Sequence, residues 1–201
     1  MNKRFAIALS VLFVLSTGSL SQTDAGRYVA PDGMFSFSIP AGWVLREIPG
    51  RKYKVAFGQP IGDFAPNINI VDESFSGALD AYVDGNLKVM PQAYERLGYQ
   101  NFKVLSREIF TTATKQTGVR VITQTEVNGR ALRQTFFFFN AKDGRKLVVT
   151  CTTLAAAGED FDVLFEKSLK TFLSENTASN SSLDASGGSV FLNWNDAAAV
   201  L

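Results

Sequence analysis

The chain holds the residue types for several kinds of chemistry but lacks the one most of them depend on: among its 201 residues there is no histidine. Histidine is the usual general base near neutral pH and the usual transition-metal ligand. Its absence removes Ser-His-Asp and Cys-His nucleophile systems and nearly all conventional zinc sites. A Ser-Lys pair or a pair of carboxylates remains. Carboxylates gather twice, at Asp72-Glu73 and at Glu159, Asp160 and Asp162. The first pair closes an expected strand, where acids are ordinary loop residues. The second opens an expected helix, whose positive end favours acids, with calcium binding or acid–base use as the sharper alternative. Lys115 with Ser106 or Ser168 would be the Ser-Lys catalyst, yet no local spacing joins them, and such a catalyst is defined by geometry. No catalytic residue, metal ligand or cofactor is assigned, and the binding residues stay open.

Three further groups bear on binding. Gly58-Gln59-Pro60-Ile61-Gly62 lacks the lysine and the strand-to-helix setting of a phosphate-cradling loop. Arg46, Arg51, Lys52 and Lys54 surround a hairpin turn, either as a docking patch for an acidic partner or as charges that guard a sheet edge. Cys151, the only cysteine, sits in the apolar run from Lys146 to Leu154, so no intramolecular disulfide forms. In that setting a lone cysteine behaves as a small hydrophobe; a reactive thiol would want exposed, electropositive surroundings.

The elements that must position these residues follow from periodicity. Alternation over 34–39 puts Phe35, Phe37 and Ile39 on one face, and short extended pieces are expected at 27–30, 43–48, 53–57 and 67–71. Leu79, Tyr82, Val83, Leu87 and Met90 recur at helical spacing, with Ser76 as the expected N-cap. Pro91 should kink or break that helix, leaving one more turn before Gly98. Strands over 102–110, 118–127, 130–139 and 145–154 form a meander, joined by hairpin signals at Asn128-Gly129 and Asp143-Gly144. Phe136 to Phe139 is apolar on both faces, so that strand is central and covered twice. Phe161, Leu164, Phe165, Ser168, Leu169, Phe172 and Leu173 make one helical stripe, with the domain ending near Leu173.

The ends read differently. Lys3 and Arg4 precede an apolar run over 5–15 and then small residues, which marks 1–21 as a signal peptide, cleaved after Ser21 or Gly18. The run is short for a hydrocarbon core of roughly 30 Å, and no cysteine near the cleavage site offers a lipid anchor. Without Lys3 and Arg4 the chain keeps 18 basic and 19 acidic residues, a net −1. Near-neutral charge gives no electrostatic reason to seek nucleic acid or an anionic membrane surface. A globular domain over 22–175 is expected, followed by a flexible Ser/Asn/Ala/Gly-rich tail over 176–201. Val190 to Trp194 in that tail is either a partner-binding peptide or a segment that packs loosely on its own domain.

Phe35-Ser36-Phe37-Ser38-Ile39-Pro40-Ala41-Gly42-Trp43, the inserted helix over 78–90, the meander and the final helix together resemble the PsbP-like fold family and its DcrB-like bacterial relatives, over about residues 27–173. The resemblance implies an α+β fold, an antiparallel sheet with helices packed on both faces in an α/β/α sandwich. It also implies non-catalytic work as accessory subunits of membrane complexes or as envelope proteins. The expected function is an exported, periplasmic or extracellular binding module of a larger envelope or membrane-associated assembly, with an unidentified protein partner. The alternative is a carrier of a small apolar ligand between sheet and helices.

Overall fold

A computed structural model of the chain describes residues 26–174. Ten strands and two helices follow in the order β1 (Arg27–Val29), β2 (Phe35–Ser38), β3 (Val44–Arg46), β4 (Val55–Phe57), β5 (Asn67–Ser74), α1 (Leu79–Arg96), β6 (Gln100–Thr111), β7 (Thr117–Val127), β8 (Arg130–Asn140), β9 (Arg145–Leu154), α2 (Gly158–Lys170) and β10 (Leu173–Ser174). The expected single sheet is two sheets. Seven strands order as β3-β4-β5-β9-β8-β7-β6, and β1-β2-β10 form a separate small sheet. Every pairing is antiparallel. The meander arises because Asn128 (φ 52°) and Gly129 (φ 72°) adopt the left-handed pair that a tight hairpin turn requires.

The four consecutive phenylalanines of β8 are all fully buried, and their alternation divides the core. Phe136 and Phe138 point into a cluster with Tyr82, Val83, Met90 and Tyr94 of α1. Phe137 and Phe139 point into a cluster with Phe165 and Leu169 of α2, together with Tyr28, Phe35 and Phe37 of the small sheet. One helix therefore lies over each face of the large sheet. The Pro40–Trp43 turn anchors the second layer. Gly42 at φ 79° lets the Trp43 N–H donate to the Pro40 carbonyl at 3.1 Å, and the indole then meets the Phe165 ring edge-on at 6.0 Å.

Three local expectations need correction. Ser76 does not cap α1: the helix starts at Leu79 with Ala78 as N-cap, and no side chain caps it. Pro91 does not break it either. The helix runs on to Arg96 because Met90 and Tyr94, on either side of the proline, are both buried in one cluster, and that packing outweighs one lost hydrogen bond. It ends where Gly98 (φ 83°) allows the Gly98 N–H to reach Glu95 and the Tyr99 N–H to reach Tyr94. The C-terminal stripe is cut short: α2 stops at Lys170, and Leu173 is an exposed β10 residue paired with Ser36. Phe172, between them, stacks on Phe139 at 4.5 Å and on Phe35 at 5.8 Å, so its apolar signal belongs to the core although its backbone is not helical. The signal peptide expected at 1–21 and the tail expected at 176–201 lie outside the described residues.

Candidate functional site

The residues singled out for chemistry are used up by the fold. Asp72 is no loop acid: it belongs to β5, its side chain is 4% exposed, and it pairs with Lys52 at 3.0 Å and with Arg145. Glu73 accepts a 2.6 Å hydrogen bond from the Tyr82 hydroxyl, so it ties α1 to the sheet. Burial, reinforced by that carboxylate, pushes the Tyr82 phenol far above its ordinary value. Glu159 and Asp160 sit in the first turn of α2, while Asp162 turns inward to Arg133 at 2.5 Å and Thr135 at 3.0 Å. No group of three or more potential metal ligands gathers among the described residues.

The basic hairpin is not a free patch. Lys52 bridges Asp32 and Asp72, Lys54 pairs with Glu47 at 3.2 Å, and the Arg46 guanidinium lies over the Phe57 ring. Ser168 donates to the Ser38 carbonyl at 2.6 Å. Ser106 stands opposite Ile122, five pairs from the Thr111–Thr117 pair that flanks Lys115. The Ser-Lys combination is not assembled. Cys151 is fully buried, and burial raises its thiol pKa, with the Asp162 charge adding to the effect.

Two surfaces remain, and neither was legible from motifs. The first is β6. It is an end strand of the large sheet, with only β7 beside it among the described residues, and at twelve residues it is far longer than β3 at the other end. Its register with β7 shifts near Gln100–Lys103 and at Val104–Ser106, then runs unbroken from Ser106 to Thr111. Ile109 is 77% exposed, and Val104 and Leu105 are nearly half exposed. Arg107 is held by Asp80 and Asp84 of α1, and Glu108 by Arg120. At the head of the strand, Pro91, Glu95, Tyr99, Gln100, Asn101 and Phe102 line an open depression of about 280 Å³.

The second is a polar strip on the α1 side of the sheet. The registers Asn69–Thr150–Phe136 and Asn67–Thr152–Gln134–Thr123 place these side chains in two rows on one face. All seven are at most 5% exposed. The Tyr94 hydroxyl donates to Gln134 at 2.9 Å. Asn86 of α1 is wholly buried, and its Oδ1 has no hydrogen-bond partner among the described residues. The α2 side of the same strands is apolar instead, with Ile68 and Ile70 on β5, Val149 and Cys151 on β9 and Phe137 on β8.

No protein-family model matches the chain, and no curated protein matches it. Solved structures do. The solution structure of cyanobacterial PsbP (CyanoP) from Synechocystis sp. PCC 6803 aligns with a TM-score of 0.59 at 14% identity, covering 80% of this chain and 98% of that one. The chain has a PsbP-like fold. LpqN of Mycobacterium tuberculosis, described as involved in cell envelope biogenesis, aligns with a TM-score of 0.49 at 12% identity, over 71% of this chain and 83% of its own. At such identities the likeness to PsbP is one of fold, and fold alone assigns no function. No helix among the described residues is long and apolar enough to cross a membrane.

Proposed function

We propose that this PsbP-like chain is an exported, non-catalytic accessory module that joins a larger envelope or membrane-associated assembly by adding a partner strand to β6. The observation that carries the proposal is the unbroken stretch from Ser106 to Thr111, a sheet edge whose most exposed apolar residue is Ile109. Sheet edges of this kind bind extended peptides through main-chain hydrogen bonds, while alternate side chains set the choice of partner. Native edges are commonly blunted by bulges and charge, and both occur in the Gln100–Arg107 half. Among the described residues no strand pairs with the outer edge of the remaining half. The carrier alternative finds less support, because ring contacts such as Phe110–Phe137 at 4.7 Å and Phe139–Phe172 at 4.5 Å fill the layer between sheet and α2. Export rests on the sequence of residues 1–21.

The test is quantitative affinity capture from the native envelope fraction with the mature chain and its Ile109→Lys variant. At 77% exposure the substitution should leave the fold intact. A partner held by the wild type and lost by Ile109→Lys supports docking at β6. Identical captured sets with both proteins sink it.

A further inference from the structure

We propose that the depression at the head of β6 takes an arginine side chain of the partner, a subsite that rests on the docking of a partner strand at β6. Asp80, Asp84, Pro91 and Glu95 recur along α1 at intervals of four and seven, so they fall on one flank of the helix. Asp80 and Asp84 meet Arg107 of β6, while Pro91 and Glu95 line the depression with Tyr99, Gln100, Asn101 and Phe102. That flank of α1 therefore follows β6, and the depression lies on the path of a strand added there. From Phe102 to Ile109 along β6 is about 20 Å at the rise of a strand. A partner that lays an apolar residue beside Ile109 thus reaches the depression with a residue about six to eight positions along its own chain.

The lining selects a cation with flat, apolar surface. The Glu95 carboxylate has no ion pair among the described residues. Neither Arg96 nor Lys103 lines the depression. The Asn101 amide nitrogen donates to Glu126 at 3.0 Å, so the group Asn101 has left to offer is its Oδ1, another acceptor. Beside these acceptors the Tyr99 and Phe102 rings are held against the Tyr94 ring, with centroids at 5.0 and 5.4 Å.

Acceptors next to fixed rings suit a guanidinium. Its planar fork of donors matches a carboxylate, and the same plane lies against an aromatic ring. A lysine ammonium has no such plane, so the arrangement favours arginine. Size agrees. At about 280 Å³ the depression falls just short of the range of about 300–1,000 Å³ for small-molecule pockets, which suits one side chain.

The test titrates the mature chain, labelled with nitrogen-15, with N-acetylargininamide and with its neutral isostere N-acetylcitrullinamide. Saturable amide shifts centred on 99–102 are expected with the arginine probe, at a Kd of about 1–10 mM. The citrulline probe, which lacks the charge, should bind about tenfold more weakly. Glu95 is exposed, so Glu95→Gln should fold and should weaken the arginine probe by a similar factor. Ile109→Lys, toward the other end of the strand, should leave the probe's affinity unchanged. Absence of saturable shifts at 99–102 overturns the proposal. So does equal binding of the two probes, or an affinity that Glu95→Gln leaves unmoved. Loss of the arginine probe in Ile109→Lys would place the site elsewhere and overturn it too. Partner capture reports separately: if Ile109→Lys spares capture while the arginine probe binds at 99–102, docking at β6 fails and the arginine site stands.

Discussion

Gly118 is the residue on which the crowding of the α2 side bears most directly. It lies between Phe110 on β6 and Phe139 on β8 in register, and a Cβ there would meet the Phe138 carbonyl oxygen and come within 2.6 Å of the Phe139 ring. A backbone oxygen cannot step aside, so Gly118→Ala should destabilise by about 1–3 kcal/mol in urea titration. An unchanged midpoint would mean the strands separate more easily than their register implies. Asp32 makes a second residue-scale prediction. Burial works to raise its carboxyl pKa, but hydrogen bonds from the Met34 N–H, Lys52 and Tyr53 outweigh it, and the folded value lies below the ordinary one. A depressed carboxylate contributes stability that is complete above its unfolded value of about 4 and is lost as pH falls through the folded value. Thermal midpoints should therefore fall on acidification below about pH 4, and Lys52→Ala should flatten that fall. An equal slope in the variant would remove Lys52 from the account. Neither residue stood out in the sequence. Asp72 and Lys52 were visible only as charges near turns, because their pairing joins segments twenty residues apart.

Helices and strands were legible to different degrees, for physical reasons. The meander was read almost to the residue, since alternation and left-handed turn residues are local signals. The small sheet was not: β1 and β2 are a local pair, but β10 joins them across most of the chain, with Leu173 opposite Ser36. Ser76 failed as a cap and Pro91 failed as a breaker for one shared reason. The rings of Tyr82 and Tyr94 fix α1 from the sheet side, at Phe138 and Gln134, and tertiary packing overrode end signals. In α2, Phe165 carries the packing. It is fully buried, with Trp43 at 6.0 Å and Phe161 at 5.7 Å. Phe165→Ala should cost about 3–5 kcal/mol by chemical denaturation. A loss under about 1 kcal/mol would show that the layer collapses into the vacated space.

Across the whole molecule, two surfaces of one sheet differ in charge and exposure. The β6 strand carries Lys103, Arg107 and Glu108 and is mostly exposed, whereas the strip is uncharged and buried. Burial patterns cannot be read from a sequence when the buried residues are Asn and Thr, which is why the strip escaped notice there. The Ser/Asn/Gly-rich sequence of 176–189 offers little apolar surface to bury, so removing it should cost little. Truncation after Glu175 should therefore lower the thermal midpoint by a few degrees at most. Phe172→Ala in the full chain removes a ring stacked between Phe35 and Phe139, and should cost about 3–5 kcal/mol. Should truncation after Glu175 match Phe172→Ala, the tail is part of the core and the proposed domain boundary at 175 is wrong. Should Phe172→Ala prove the milder change, the small sheet is not held to the large one through that ring.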